Sequence, residues 1–184
     1  MPIQKTTPEE IIKQSIQVFR LKGYYRTTMS DLAKATNLTK GVFYHHFVNK
    51  EAVMKKCLEA TFIWFQKKIF SIAYDEALAP KQRLSKMADI LYKAFTKTEG
   101  GCFFANTILE TVHVEDTFLQ QLNAFFDAFE RALANIFKEK YSKKELNSML
   151  PQIIANIEGT IILMQLRKDK KLLKIALNNV ISLI

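Results

Sequence analysis

Apolar side chains recur every three or four positions along almost all of this 184-residue chain, and only five glycines and four prolines interrupt them. That period draws one apolar stripe along an α-helix, whereas a half-buried strand would alternate. The chain therefore reads as all-α, with about nine helices. A first helix is predicted from about Pro8 to Leu21, with Ile12, Ile16 and Phe19 on its buried stripe and Gly23 closing it. Two short helices follow, and Asn49 is placed to cap a long fourth one from Lys50 to about Ala73. Pro80 starts a fifth that ends before Gly100-Gly101, a sixth spans about Cys102 to Val112, and a seventh about Asp116 to Lys140. Ser142 and Glu145 form a capping box for the eighth. Pro151 lies inside its pattern, so that helix is either kinked or starts later. Asp169 caps the last, which carries Leu173, Leu177, Val180 and Ile184 on one stripe.

The segment Thr28 to Lys50 holds the chemistry. Thr28 with Asp31 makes a capping-box start, Leu32, Ala33 and Phe43 supply apolar anchors, and Asn37 falls where the chain must reverse through a left-handed residue. A helix opening near Thr39 would turn Lys40, Gly41, Tyr44 and His45 outward. Short, cationic and backbone-exposing residues at the start of the second helix of a helix-turn-helix suit base edges in a major groove. Gly41 costs about 1 kcal/mol of helix propensity against Ala. It either eases the turn or lets the backbone approach another surface.

The run Gly41-Val-Phe-Tyr-His-His-Phe-Val-Asn-Lys-Glu51 resembles the signature of the TetR family of bacterial transcriptional regulators, and Thr28-Met-Ser-Asp-Leu-Ala matches as well. Tyr44, His46, Phe47 and Lys50 carry the likeness, which is specific over residues 8 to 65 and architectural beyond. Asn37 stands where relatives often carry Gly. The resemblance implies an N-terminal three-helix DNA-binding domain over residues 1–50, continuing into the long helix at 50–73, and a ligand-binding and dimerisation domain over 51–184. It also implies a homodimer on a near-palindromic double-stranded DNA operator, released by a small apolar or aromatic effector and acting as a repressor. By resemblance and position, Thr39, Lys40, Gly41 and Tyr44 face bases or nearby backbone, while Thr28, Ser30, His45 and Lys50 hold phosphates.

Charge agrees with this reading. Residues 1–60 hold ten Lys or Arg against five Asp or Glu, which is +5 of the chain's total +9 in a third of its length. No export signal is expected, since Pro2 to Lys13 is polar and charged, and Ile153 to Leu166 is broken by Asn156 and Glu158 before it reaches a membrane span. A cytoplasmic location follows as an expectation. Cys57 and Cys102 are too few for a disulfide framework and lack metal-ligand spacing.

The aromatic surplus falls in the middle of the chain. Phe62, Phe65, Tyr92, Phe95, Phe103, Phe125 and Phe129, with Met164, lie on helices that the family uses to enclose an effector pocket, and Asn106 and Glu110 are its candidate polar contacts. Such a pocket is expected to measure about a few hundred cubic ångströms. Aromatic stripes at helical spacing also fill cores, which leaves an architectural DNA-binding protein with no effector as the alternative. The eighth helix is apolar on two faces and so needs two covers. The expected dimer interface takes Ile157, Gly159 and Ile161 from it, with Leu173, Leu177 and Val180 from the last helix. Glu110-Thr-Val-His113 is a lone Glu-x-x-His unit, where helical di-iron sites need two such units and two further Glu. No metal, cofactor or enzymatic activity is expected.

Overall fold

A computed structural model describes residues 7–184 of the chain. Among them, nine α-helices and no strand occur: α1 Pro8–Lys22, α2 Met29–Ala35, α3 Lys40–His46, α4 Lys50–Lys68, α5 Pro80–Lys97, α6 Phe103–Thr111, α7 Leu119–Phe137, α8 Lys143–Arg167 and α9 Lys171–Ile181. The helix starts follow the local signals. Thr7 caps α1 by accepting from the Glu10 amide at 3.2 Å, with Pro8 in the first turn. Ser142 and Glu145 form the reciprocal box of α8, the Ser142 amide donating to Glu145 at 2.8 Å. Pro151 is accommodated within that helix, so α8 does not start later. The Asp169 carboxylate accepts from the Lys171 amide at 2.9 Å, just after Lys168 has closed α8 in the left-handed conformation (φ 53°).

One predicted boundary is corrected. Helix α4 stops at Lys68 instead of reaching Ala73, and Phe70–Tyr74 form a tighter 3-10 turn. The reason is packing: the turn carries Phe70 inward, where its ring lies 5.7 Å from Phe125 and 5.4 Å from Phe129. Buried Arg83 then satisfies the turn, its Nη1 donating to the Ala73 carbonyl at 3.4 Å, and Asn135 donates to the same carbonyl at 2.8 Å.

The chain divides into two compact units. The first comprises the residues up to Phe62 together with 103–122, so that α6 belongs with the helix-turn-helix; the second comprises 63–102 and 123–184. Ile11, Phe19, Leu32, Phe43, Met54 and Leu58 form the core of the first unit around α1 to α4. In the second, Phe65, Phe70, Phe95, Phe125 and Phe129 interlock, and α8 and α9 lay Ile157, Ile161, Leu173 and Leu177 inward. By length and composition α8 is apolar enough to cross a membrane. Its inner stripe is buried in the second unit. There the half-buried Glu158 carboxyl, beside the Cys102 thiol, is pushed up to about 7 by burial.

Candidate DNA-binding site

Helix α2 is fixed at both ends by short-range bonds. Thr28 accepts from the Asp31 amide at 3.1 Å while Asp31 accepts from the Thr28 amide at 2.9 Å. Lys22 adds an ion pair to Asp31 at 2.7 Å, and these contacts, with the Lys22 hydrogen bond foremost, hold that carboxyl well below the usual range. Asn37 adopts the left-handed conformation (φ 56°), and the Leu38 amide bonds the Ala33 carbonyl at 2.9 Å to close the turn. Thr39 then caps α3, accepting from the Val42 amide at 3.4 Å.

Helix α3 has one inward anchor, Phe43, with no exposed surface, its ring 5.6 Å from Phe47. Everything else faces out: Lys40, Gly41, Val42, Tyr44, His45 and His46 are all exposed. Gly41 keeps an ordinary helical conformation, and a Cβ added there would meet nothing within 4 Å. Neither turn geometry nor internal packing therefore explains the glycine. The exposed residues form a short row of donors, a cation and bare backbone on a positively charged unit, which is the chemistry needed to meet phosphates and base edges.

The other residues expected here are placed differently. The Thr28 hydroxyl donates to Asp31 at 2.8 Å, so its proton is already used inside the cap, and Ser30 is half-buried. The Lys50 ammonium donates to the Tyr24 carbonyl at 2.8 Å and lies 4.3 Å from the centre of the Tyr24 ring. Burial lowers its pKa, with Glu110 and Glu115 pulling the other way. Lys50 thus faces the turn between α1 and α2. Glu110 faces the same turn. Its carboxylate accepts from the Tyr25 amide at 3.3 Å, while the Tyr25 hydroxyl donates to Glu115 at 3.0 Å. Tyr24, between these groups, has its phenol pushed up to about 12 by burial first and by Glu115 and Glu51 next. No sequence signal pointed to this cluster, because Tyr25 and Glu110 are 85 residues apart.

The residues expected to line an effector pocket fall in both units. Asn106, Glu110 and Phe62 are half-buried and Phe103 is buried in the first unit. In the second, Phe65, Phe95, Phe125 and Met164 are buried and Tyr92 half-buried, with Phe65 and Phe125 meeting edge to face at 5.0 Å. That unit holds an apolar gap of about 10 Å³ lined by Leu84, Met87, Ala88, Leu91, Phe129, Leu133, Ile157, Leu177 and Val180. It has room for about one water.

Most residues expected at the dimer interface face inward in the single chain. Ile157, Ile161, Leu173, Leu177 and Val180 are each at most 5% exposed, because they face the core of their own unit. Gly159 alone of that set opens outward, with nothing near a hypothetical Cβ. The outward apolar stripe of α8 is Ile162, Leu163 and Leu166, with Ile175 exposed on α9.

Comparison with known proteins agrees with this geometry. Residues 11–57 match the model of bacterial regulatory proteins of the tetR family, and residues 80–179 match the C-terminal domain of LmrA/YxaF-like transcriptional regulators. The HTH-type transcriptional repressor DhaR of Mycobacterium sp. (strain GP1) is 23% identical, over 89% of this chain and 84% of its own. A TetR transcriptional regulator from Legionella pneumophila superposes with a TM-score of 0.88 at 19% identity, covering 99% of this chain and all of its own. The regulator FadR from Bacillus subtilis, solved in complex with stearoyl-CoA, superposes with a TM-score of 0.77 at 18% identity, over 96% of this chain and 97% of its own. With both its N-terminal and C-terminal segments matched, the chain belongs to the TetR family of transcriptional regulators.

Proposed function

We propose that this regulator is a cytoplasmic, homodimeric, effector-responsive repressor, without catalytic activity, whose α3 helices read successive major grooves of a near-palindromic operator. The exposed row Lys40, Gly41, Tyr44 and His45 carries the reading, above all the open space at Gly41. Thr39, Lys40, Gly41 and Tyr44 face the bases. His45 and the backbone at the start of α2 meet phosphates. The outward stripe Ile162, Leu163 and Leu166 with Gly159 pairs the two chains, since an apolar helix face of this kind needs a cover. Relatives named a repressor and crystallised with stearoyl-CoA support repression and an apolar effector. Such an effector would enlarge the apolar gap between α5, α7, α8 and α9, and it would act only through its differential affinity for the two spacings of the DNA-reading helices.

The test is a titration of the chain against its preferred duplex and a scrambled one at several salt concentrations. Lys40→Ala costs about 1–3 kcal/mol on the preferred duplex and little on the scrambled one. Equal losses on both would make Lys40 a phosphate contact. A second reading, a DNA-binding protein with no effector, is favoured by the smallness of the gap. Thermal shifts against apolar acids and thioesters separate the two, since a ligand at about 100 times its Kd adds about 2.7 kcal/mol.

A further inference from the structure

Helix α6 clusters with the helix-turn-helix, whereas α5 before it belongs to the second unit. Its C-terminal end and the turn that follows deliver two carboxylates to one place. Glu110 accepts from the Tyr25 amide at 3.3 Å, and Glu115 accepts from the Tyr25 hydroxyl at 3.0 Å and from Thr117 at 2.7 Å. The Lys50 ammonium holds the carbonyls of Tyr24 and Tyr25 at 2.8 and 3.4 Å. The backbone is shaped to admit Glu110: Gly23 has φ 80°, and any Cβ there would collide with the Glu110 carboxylate. Thr27 locks the same turn by donating to the Gly23 carbonyl at 2.6 Å, and the next residue is the cap of α2.

We infer that Glu110 is a positioning residue for DNA reading: it fixes the Gly23–Tyr25 turn, and so the orientation in which α2 and α3 are presented. The inference rests on the proposed reading of DNA by α3. Glu110 touches no base and acts through the Tyr25 amide. Electrostatics alone predicts the opposite sign for its removal, because deleting a negative charge from a DNA-binding unit strengthens its attraction to phosphate.

The experiment uses the full chain and a duplex that the wild type enriches from a random pool, with a scrambled duplex beside it. Glu110→Ala is expected to weaken the selected duplex about tenfold, the weight of one hydrogen bond to a charged acceptor, while scrambled DNA is held as well or better. Glu110→Gln keeps an acceptor for the Tyr25 amide and is expected to bind the selected duplex at least as well as wild type. Glu110→Ala binding that duplex as tightly as wild type overturns the inference, and so does Glu110→Gln failing equally. Should Glu110→Ala not fold, Glu110→Asp decides, since it keeps the charge but shortens the reach to the Tyr25 amide: a weaker selected complex supports the inference and one as tight as wild type overturns it. A wild-type chain that enriches no sequence overturns the DNA-reading function itself, which separates that failure from a failure of the clamp.

Discussion

The Lys50 ammonium sits 2.8 Å from the Tyr24 carbonyl oxygen and over the face of the same residue's ring, so the first residue of α4 holds the end of the turn that follows α1. A lysine turned inward in this way fixes backbone. Lys50→Met keeps the apolar stem and removes the charge. It is expected to destabilise the chain by about 1–2 kcal/mol, since the Tyr24 carbonyl loses a charged donor. It leaves the salt dependence of DNA binding unchanged. A phosphate contact would instead lower the salt slope by about one unit, which the same titrations would reveal.

Gly41→Ala separates stability from recognition. The position is helical with open space around it, so a methyl group is expected to stabilise the chain by about 0.5–1 kcal/mol. The same methyl projects from the face proposed to meet DNA and is expected to weaken operator binding. Thermal melts and duplex titrations on one preparation measure both. A variant that is more stable and binds equally well would remove Gly41 from the DNA face.

The two faces of α8 give opposite responses to charge. Ile162→Asp changes a residue 54% exposed in the single chain, so the fold is expected to survive while the dimer dissociates. Ile157→Asp, at 2% exposure, is expected to cost more than about 3 kcal/mol and to unfold the chain. Mass in solution and far-ultraviolet circular dichroism distinguish these outcomes. An Ile162→Asp chain that remains dimeric would place the interface elsewhere.

Glu158 makes stability depend on pH. Its carboxyl is pushed up from 4.5 to about 7, chiefly by burial, so the folded chain binds the proton more tightly than the unfolded chain. Stability from this group is therefore greatest below about pH 4.5, falls as pH rises towards 7, and stays low above that. Glu158→Gln is expected to match wild type at about pH 5 and to exceed it by about 1–3 kcal/mol at about pH 8. Urea denaturation at both pH values checks the sign, and a difference independent of pH would contradict it.

The helix-turn-helix was legible in the sequence because its determinants are local. Thr28 with Asp31, Asn37, and Thr39 each act within a few residues, and each does in the structure what its position implied. The end of α4 was not legible, since helical spacing continues past Lys68 and only the distant rings of Phe125 and Phe129 draw Phe70 into a tighter turn. On α8 the sequence offered two apolar faces but not which one its own unit takes, and in the single chain Ile157 is buried whereas Leu163 is exposed. Asn106 and Glu110, four apart on a helix, resembled pocket residues. The partner that claims Glu110 lies 85 residues away in the chain, beyond any local pattern.

Sequence-selective binding is the centre of the account, and enrichment of duplexes from a random pool by the full-length wild-type chain tests it most directly. The bound fraction is expected to converge on a near-palindromic site whose half-sites lie about one helical turn, or a multiple of it, apart, with two chains bound per site. A bound pool that stays as random as the input, retained by charge alone and lost uniformly as salt is raised, would contradict it.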